Sequence, residues 1–79
     1  MQISDHNYNT ARNILVQAGS ATAAKAHVKH TQGKGSPEGH GVALLREARD
    51  EFNGMPEPRR TNGRQAVVQA AAQMGITSW

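Results

Sequence analysis

The sequence of 79 residues carries a net charge of +3, and this length allows only one small domain. Leu, Ile, Val and Phe together make 12 of the 79 residues, so we expect a small core of marginal stability. The absence of cysteine excludes disulfides, cysteine-ligated zinc and cysteine nucleophiles.

Helical periodicity dominates the chain, and no segment alternates between branched apolar and polar residues as a strand does. We therefore predict an all-α fold, a small compact bundle of three to four short helices in a single domain spanning residues 1–79. Connectors are expected near 32–36 and 54–62. The first helix is expected to begin near Asn9 or Thr10, both suitable caps. Its apolar face consists of Ala11, Ile14, Leu15 and Ala18.

A break is predicted after this first helix. Gly19 can end one helix, and Ser20 can cap a second helix over residues 21–31. One continuous helix over residues 10–31 is the alternative, at a cost of roughly 1 kcal/mol for the interior glycine.

A third helix is predicted to begin at residues 36–38, where Ser suits the cap, Pro the first position and Glu the first turn. Its apolar stripe consists of Val42, Leu45, Ala48 and Phe52, widened by Leu44 and Met55. Its opposite face, expected to be exposed, carries Arg46, Glu47, Arg49, Asp50 and Glu51. Asn53 and Gly54 predict its end, because both tolerate the left-handed conformation.

The last helix is expected to begin at Thr61 or Asn62 and to end at Met74. Gly75 is predicted to adopt the left-handed conformation, so that Ile76 folds back onto the helix. The apolar face of this helix consists of Val67, Ala70 or Ala71, and Met74, with Val68 beside it.

Residues 67–78 resemble the first half of a bacterial helix-turn-helix. The resemblance is carried by Ala71, Gly75 and Ile76, at the small, turn and apolar positions. Because the sequence ends at Trp79, before a recognition helix, we do not expect this segment to read the major groove. Trp79 itself is expected either to close the core or to be an exposed contact residue.

The sequence carries no catalytic signature, because no nucleophile stands near both a base and an orienting acid. We therefore expect no enzyme, no catalytic residue and no cofactor. His27 and His30 lie three apart on a predicted helix, but nothing completes a ligand set, so we expect exposed histidines and no metal site.

The glycine-rich segment 33–41 lacks the first glycine of a phosphate loop, since Val28 occupies that position. A flexible connector is predicted there, with an anion held near Lys34 as the alternative.

Basic residues form two clusters, which are the predicted partner-binding site. The clusters are Lys25, Lys29 and Lys34, and Arg59, Arg60 and Arg64. We favour the segment 56–64, because its prolines stiffen the chain before binding. Arginine also pairs bidentately with carboxylates and phosphates.

These features predict a small non-enzymatic helical interaction protein that binds a larger protein or nucleoprotein assembly and modulates or blocks it. A short, cysteine-free chain rich in Ala and Gln resembles accessory proteins of phages and mobile elements, such as inhibitors of host machinery and small virion parts. The alternative is a nucleic-acid-binding protein that uses the Arg and Lys surface.

No apolar stretch approaches the roughly 20 residues of a spanning helix, and the first residues do not resemble a signal peptide. We expect no membrane partner and an intracellular location, cytoplasmic or in a virion.

Overall fold

The computed structural model describes residues 5–32 and 37–79, which are helical over most of their length. Within them lie α1 (Asp5–Ala18), α2 (Ala21–Thr31), α3 (Pro37–Asn53) and α4 (Arg59–Met74). The prediction of a small all-α bundle is confirmed, and so is the break between α1 and α2. The predicted cap Ser36 lies outside the described residues.

The core lies where α1 and α3 pack against α4. In the described ranges, α2 covers α1 and α3 without packing against α4. The largest fully buried side chains are Tyr8, Phe52, Leu15, Leu44, Leu45, Met74 and Val67. Buried alanines supply much of the remaining contact, among them Ala11, Ala48 and Ala70. Because alanine is short, the helices approach closely, and a few large side chains fill the space between them.

The first helix begins at Asp5, so the predicted start at Asn9 or Thr10 is wrong. Tyr8 explains the difference, because its ring is fully buried and extends the buried stripe of α1 by one turn. Asp5 also places a carboxylate in the first turn, where the helix dipole favours negative charge.

The start of α2 is capped by side chains from two parts of the chain. Ser20 is the predicted cap, and its Oγ accepts a hydrogen bond from the Ala23 amide at 3.2 Å. The Glu51 carboxylate of α3 accepts from the amides of Ala21, at 2.9 Å, and Thr22, at 3.2 Å. It also accepts from the Ser20 hydroxyl at 2.8 Å. Glu51 therefore satisfies donors that α2 leaves open, and the prediction that it lies on an exposed charged face is wrong.

These bonds change the acidity of Glu51. Burial raises the pKa of its carboxyl group, but the hydrogen bonds from Ala21, Ser20 and Thr22 lower it by more. The net pKa lies below the ordinary value of 4.5, so the ionised carboxylate stabilises the junction of α2 and α3.

The third helix ends at Asn53, as predicted, but without a left-handed residue. Among the described residues, positive φ angles occur only at Gly19 and Gly75. The last turn of α3 tightens instead, with the amide of Gly54 bonded to the Glu51 carbonyl oxygen at 3.2 Å.

The fourth helix begins at Arg59, so the predicted start at Thr61 or Asn62 is wrong and the connector after α3 is shorter than predicted. Glu57 explains the earlier start. Its carboxylate accepts from the Thr61 amide at 2.8 Å and from the Thr61 hydroxyl at 2.5 Å, which satisfies a donor of the first turn. Arg59 and Arg60, which were predicted to precede the helix, therefore lie on it.

The third and fourth helices approach closely at Gly63, a buried glycine in the second turn of α4. A Cβ atom at this position would overlap the ring of Phe52, which is fully buried. The glycine thus lets the Phe52 ring pack directly on the backbone of α4.

The end of α4 follows the prediction. Gly75 is left-handed with φ 72°, and the amide of Ile76 bonds to the Ala71 carbonyl oxygen at 3.0 Å. Ile76 and Trp79 then pack against the core, so the last residues run back over the bundle. Val68, in contrast, is 61% exposed.

Candidate functional site

The structure separates the two predicted basic clusters. Lys25 and Lys29 are exposed on α2, and Lys34 lies outside the described residues. The three arginines are exposed on the first half of α4, a helix that α2 does not contact in the ranges described. The described residues of α2 and α4 therefore do not form one continuous basic surface.

Arg59 points away from the other two arginines. Its guanidinium Nη2 donates to the Gly19 carbonyl oxygen at 3.4 Å, and its Nε donates to the Met55 sulfur at 3.2 Å. Gly19 lies in the turn between α1 and α2, where its φ of 99° suits glycine. Arg59 thus joins the start of α4 to the end of α1.

Arg60 and Arg64 share a face, because they lie one turn apart on α4. Arg60 Nη2 stands 3.8 Å from a carboxylate oxygen of Glu57, which is as exposed as its partner. Hydrogen bonds from Thr61 hold the pKa of Glu57 below its ordinary value, and the two arginine charges contribute to this. Arg64 forms no ion pair with a described residue. It is therefore the arginine of this helix that is most open to a partner.

A cleft of about 380 Å³ lies beside this face, and we refer to it as the α4 cleft. It is lined by Arg49, Thr61, Arg64, Gln65, Val67, Val68 and Trp79. The guanidinium carbon of Arg49 lies 5.8 Å from the centre of the Trp79 ring, which is half-buried. Arg49 Nε also stands 3.5 Å from the carboxylate of Asp50. Arg49 is thus held over the indole, whereas Arg64 is not held.

The floor of the α4 cleft is apolar and its charged lining residues are both cationic. Sequence reasoning found Arg64 but missed Arg49 and left the role of Trp79 open. The reversal predicted at Gly75 was the available signal, because it directs the last residues back along α4. Nothing in the sequence placed those residues against the end of α3.

A second cluster lies at the far end of the bundle, and we call it the ring cluster: Tyr8, His30 and His40. The Tyr8 and His30 rings stack with centroids 4.2 Å apart, and the His40 ring lies 6.1 Å from His30 at a steep angle. His30 Nε2 stands 3.5 Å from Asp5, and the His30 side chain is only 12% exposed. The prediction of exposed histidines on a polar helix is therefore wrong for His30, because it packs on a buried ring.

Two polar atoms of the ring cluster are buried and find no hydrogen-bond partner in the part of the chain that the structure describes. They are the Tyr8 hydroxyl and His40 Nδ1. Burial raises the pKa of Tyr8, and the charge of Arg12 lowers it by less. Within residues 5–32 and 37–79, no group of three His, Asp or Glu side chains is arranged to hold a metal ion.

Comparison with known proteins identifies no matching family model, no matching curated protein and no matching solved structure. None of the helices in the described ranges combines the length and the apolar character needed to cross a membrane.

Proposed function

We propose that this protein is a small non-enzymatic helical interaction protein that docks on a larger protein and modulates or blocks it. The observation that carries the proposal is the pairing of Arg64 with an exposed Val68 one turn away, beside the half-buried Trp79. Arginine and tryptophan dominate protein interfaces energetically. Because Arg64 and Val68 are presented from a helix, little conformational entropy is lost when a partner binds.

The chemistry of the α4 cleft supports binding rather than catalysis. Its described lining residues include two arginines but no His, Asp or Glu that could serve as a general base. The hydroxyl of Thr61 already donates to Glu57. The guanidinium group of Arg64 is thus the group best placed to bind an anionic group of a partner. An origin in a phage, and a cytoplasmic or virion location, stay predictions.

Nucleic acid is the competing partner, because the same guanidinium groups pair with phosphate. The acidic side chains of Asp50 and Glu57 lie directly beside Arg49 and Arg60 and would repel a phosphate backbone. Duplex DNA binding would also weaken with salt by a log–log slope of roughly −0.9 for each phosphate contacted. A mobility shift measured at two salt concentrations separates the two partners.

Site-specific photo-crosslinking tests the proposal. A photoreactive amino acid replaces Val68 in the full chain, and the control carries it at Ala24, which is exposed on α2. In a lysate of the cells that make the protein, we expect one protein to crosslink at position 68 and not at 24. Crosslinking to nucleic acid, or equal yields at the two positions, would contradict the proposal.

Binding of the crosslinked partner is then compared in two matched double variants. Replacing Arg60 and Arg64 with Ala should weaken binding at least tenfold, about 1.4 kcal/mol. Replacing Lys25 and Lys29 with Ala removes the same charge at the same spacing and should change binding less than about twofold. Both variants change exposed side chains, so circular dichroism should show the same helix content in each.

A further inference from the structure

We propose that the α4 cleft takes a short acidic segment of the partner protein, in which a large apolar side chain enters the cleft and a neighbouring carboxylate pairs with Arg64. This inference rests on the proposed function and names the chemistry of the partner at that site.

The size and the apolar floor of the cleft favour an apolar side chain as the inserted group. A volume of about 380 Å³ lies at the low end of ligand sites, which run from about 300 to 1,000 Å³, so a side-chain-sized group fits. Val68 and Trp79 provide the apolar contact surface, with the buried Val67 beneath them. Since Val68 is 61% exposed, covering it removes apolar surface from water.

The positive charges at the rim of the cleft favour a carboxylate next to the inserted side chain. Arg49 and Arg64 both line the cleft, and their charges add there. Arg64 forms no ion pair with any residue the structure describes, so its five donors are open to a carboxylate. A carboxylate matches the guanidinium fork with two parallel hydrogen bonds. The rim therefore favours Asp or Glu next to the inserted side chain.

Two observations favour a peptide over nucleic acid at this site. A base would need an open aromatic face on which to stack, whereas the Arg49 guanidinium already stands over the Trp79 ring at 5.8 Å. A phosphate backbone would need several cations in a row, and here the carboxylates of Asp50 and Glu57 flank the arginines. A single carboxylate of a peptide needs only one guanidinium group, and that of Arg64 forms no ion pair with a described residue.

The occupant is a partner rather than a second copy of this chain. The large hydrophobic residues exposed in the described ranges are Val16, Val28 and Val68. The neighbours of Val16 are Leu15 and Gln17, and those of Val28 are His27 and Lys29. None of these exposed side chains has an adjacent carboxylate, so the described surface does not supply the acidic and apolar pair that the cleft fits.

Display of random twelve-residue peptides tests the inference without assuming a sequence. The full chain is the bait, and a variant with Arg64→Ala and Val68→Ser removes peptides that bind elsewhere. Both positions are exposed, so the variant should keep its fold. We expect enriched peptides that combine Asp or Glu with an adjacent aromatic or aliphatic residue. Enrichment of basic or uncharged peptides, or of none, would overturn the inference.

The enriched peptide is then titrated into isotope-labelled full chain. Amide shifts should concentrate at Arg64, Val68 and Trp79, and Arg64→Ala should weaken binding at least tenfold, whereas Lys29→Ala should leave it unchanged. Shifts centred on α2 would overturn the inference. If a protein crosslinks at Val68 but no acidic peptide binds the cleft, the proposed function stands and this inference fails. If the peptide binds but no protein crosslinks, the site stands and the proposed function fails.

Discussion

The two ends of the bundle satisfy their polar groups in different ways. At one end, Ser20 and Glu51 join α2 to α3, and Arg59 joins α4 to Gly19. We call this the capped end. At the other end, the ring cluster stacks closely, but the hydroxyl of Tyr8 finds no hydrogen-bond partner among the described residues. Polar contacts therefore stabilise the capped end, whereas ring packing stabilises the other end. Removing a polar group should accordingly have opposite effects at the two ends.

The largest effect is expected from Gly63→Ala, beside the capped end. Alanine raises helix propensity by about 1 kcal/mol, but its Cβ would overlap the buried ring of Phe52. Overpacking of this kind costs about 1–3 kcal/mol, and we expect a cost of about 3 kcal/mol here because the Phe52 ring is fully buried. We expect a net loss of about 2 kcal/mol, measured by thermal and urea unfolding.

Gly54→Ala is the matched control for this substitution. The atom nearest to a Cβ at Gly54 is 3.6 Å away, which is ordinary contact, and its φ is not positive. Its stability should change by less than about 0.5 kcal/mol. If Gly63→Ala unfolds like Gly54→Ala, the close approach of α3 and α4 at Phe52 is wrong.

An intermediate effect is expected from Glu51→Gln, which removes the charge that caps α2. The loss should be about 1 kcal/mol at neutral pH, as for other helix caps. Because the folded-state pKa of Glu51 is lowered, its stabilising effect is fully present above the ordinary pKa of 4.5. It is lost as the pH falls through the folded pKa below that value. Urea unfolding of both proteins at several pH values should show the difference shrinking in acid.

Glu47→Gln is the control for charge alone, because Glu47 is exposed on the same helix. It should leave stability unchanged within about 0.5 kcal/mol. A pH-independent loss for Glu51→Gln would show that its carboxylate does not cap α2 in the ionised form.

The smallest effect, and the opposite sign, is expected from Tyr8→Phe in the ring cluster. Removing a buried hydroxyl that has no partner should be neutral or stabilise the fold by up to about 1 kcal/mol. The raised pKa of Tyr8 adds a pH signature, because the unfolded chain releases the phenol proton at a lower pH than the folded chain. The stability of the parent protein should therefore be unaffected by this group below the ordinary pKa of 10.0 and should fall as the pH rises from there through the folded pKa. The phenylalanine variant should not show this alkaline loss. A destabilisation above about 1 kcal/mol at neutral pH would show that the hydroxyl is bonded.

Helix ends determined by neighbouring residues were predictable from the sequence. Ser20 caps the helix that follows it, and Gly75 ends the helix before it, so each signal lies beside the structure it controls. Ends determined by other contacts were not predicted. The start of α1 depends on burial of Tyr8, and that of α4 depends on capping by Glu57. Neither contact can be predicted from the local spacing of apolar residues.

The candidate site was predictable only in part, for the same reason. Arg64 stood out as one of three close arginines, but Arg59 instead bonds to Gly19 in the turn between α1 and α2. Arg49 belonged to a face of α3 predicted to be exposed, and its position over Trp79 depends on where the last residues return. Closeness in the sequence therefore did not show that only Arg60 and Arg64, of these three arginines, share a face of α4.

The return of the chain at Gly75 places an optical probe at the cleft. Trp79 is the only tryptophan of the sequence and Tyr8 the only tyrosine, and they belong to different regions. Indole emission moves to shorter wavelength when water is removed from around the ring, so an occupant of the cleft changes the fluorescence of the unlabelled protein. Ionisation of the buried phenol in alkali, followed by the absorption of the phenolate, reports on the ring cluster. Occupancy of the cleft and integrity of the bundle are thus spectroscopically separable in the native chain.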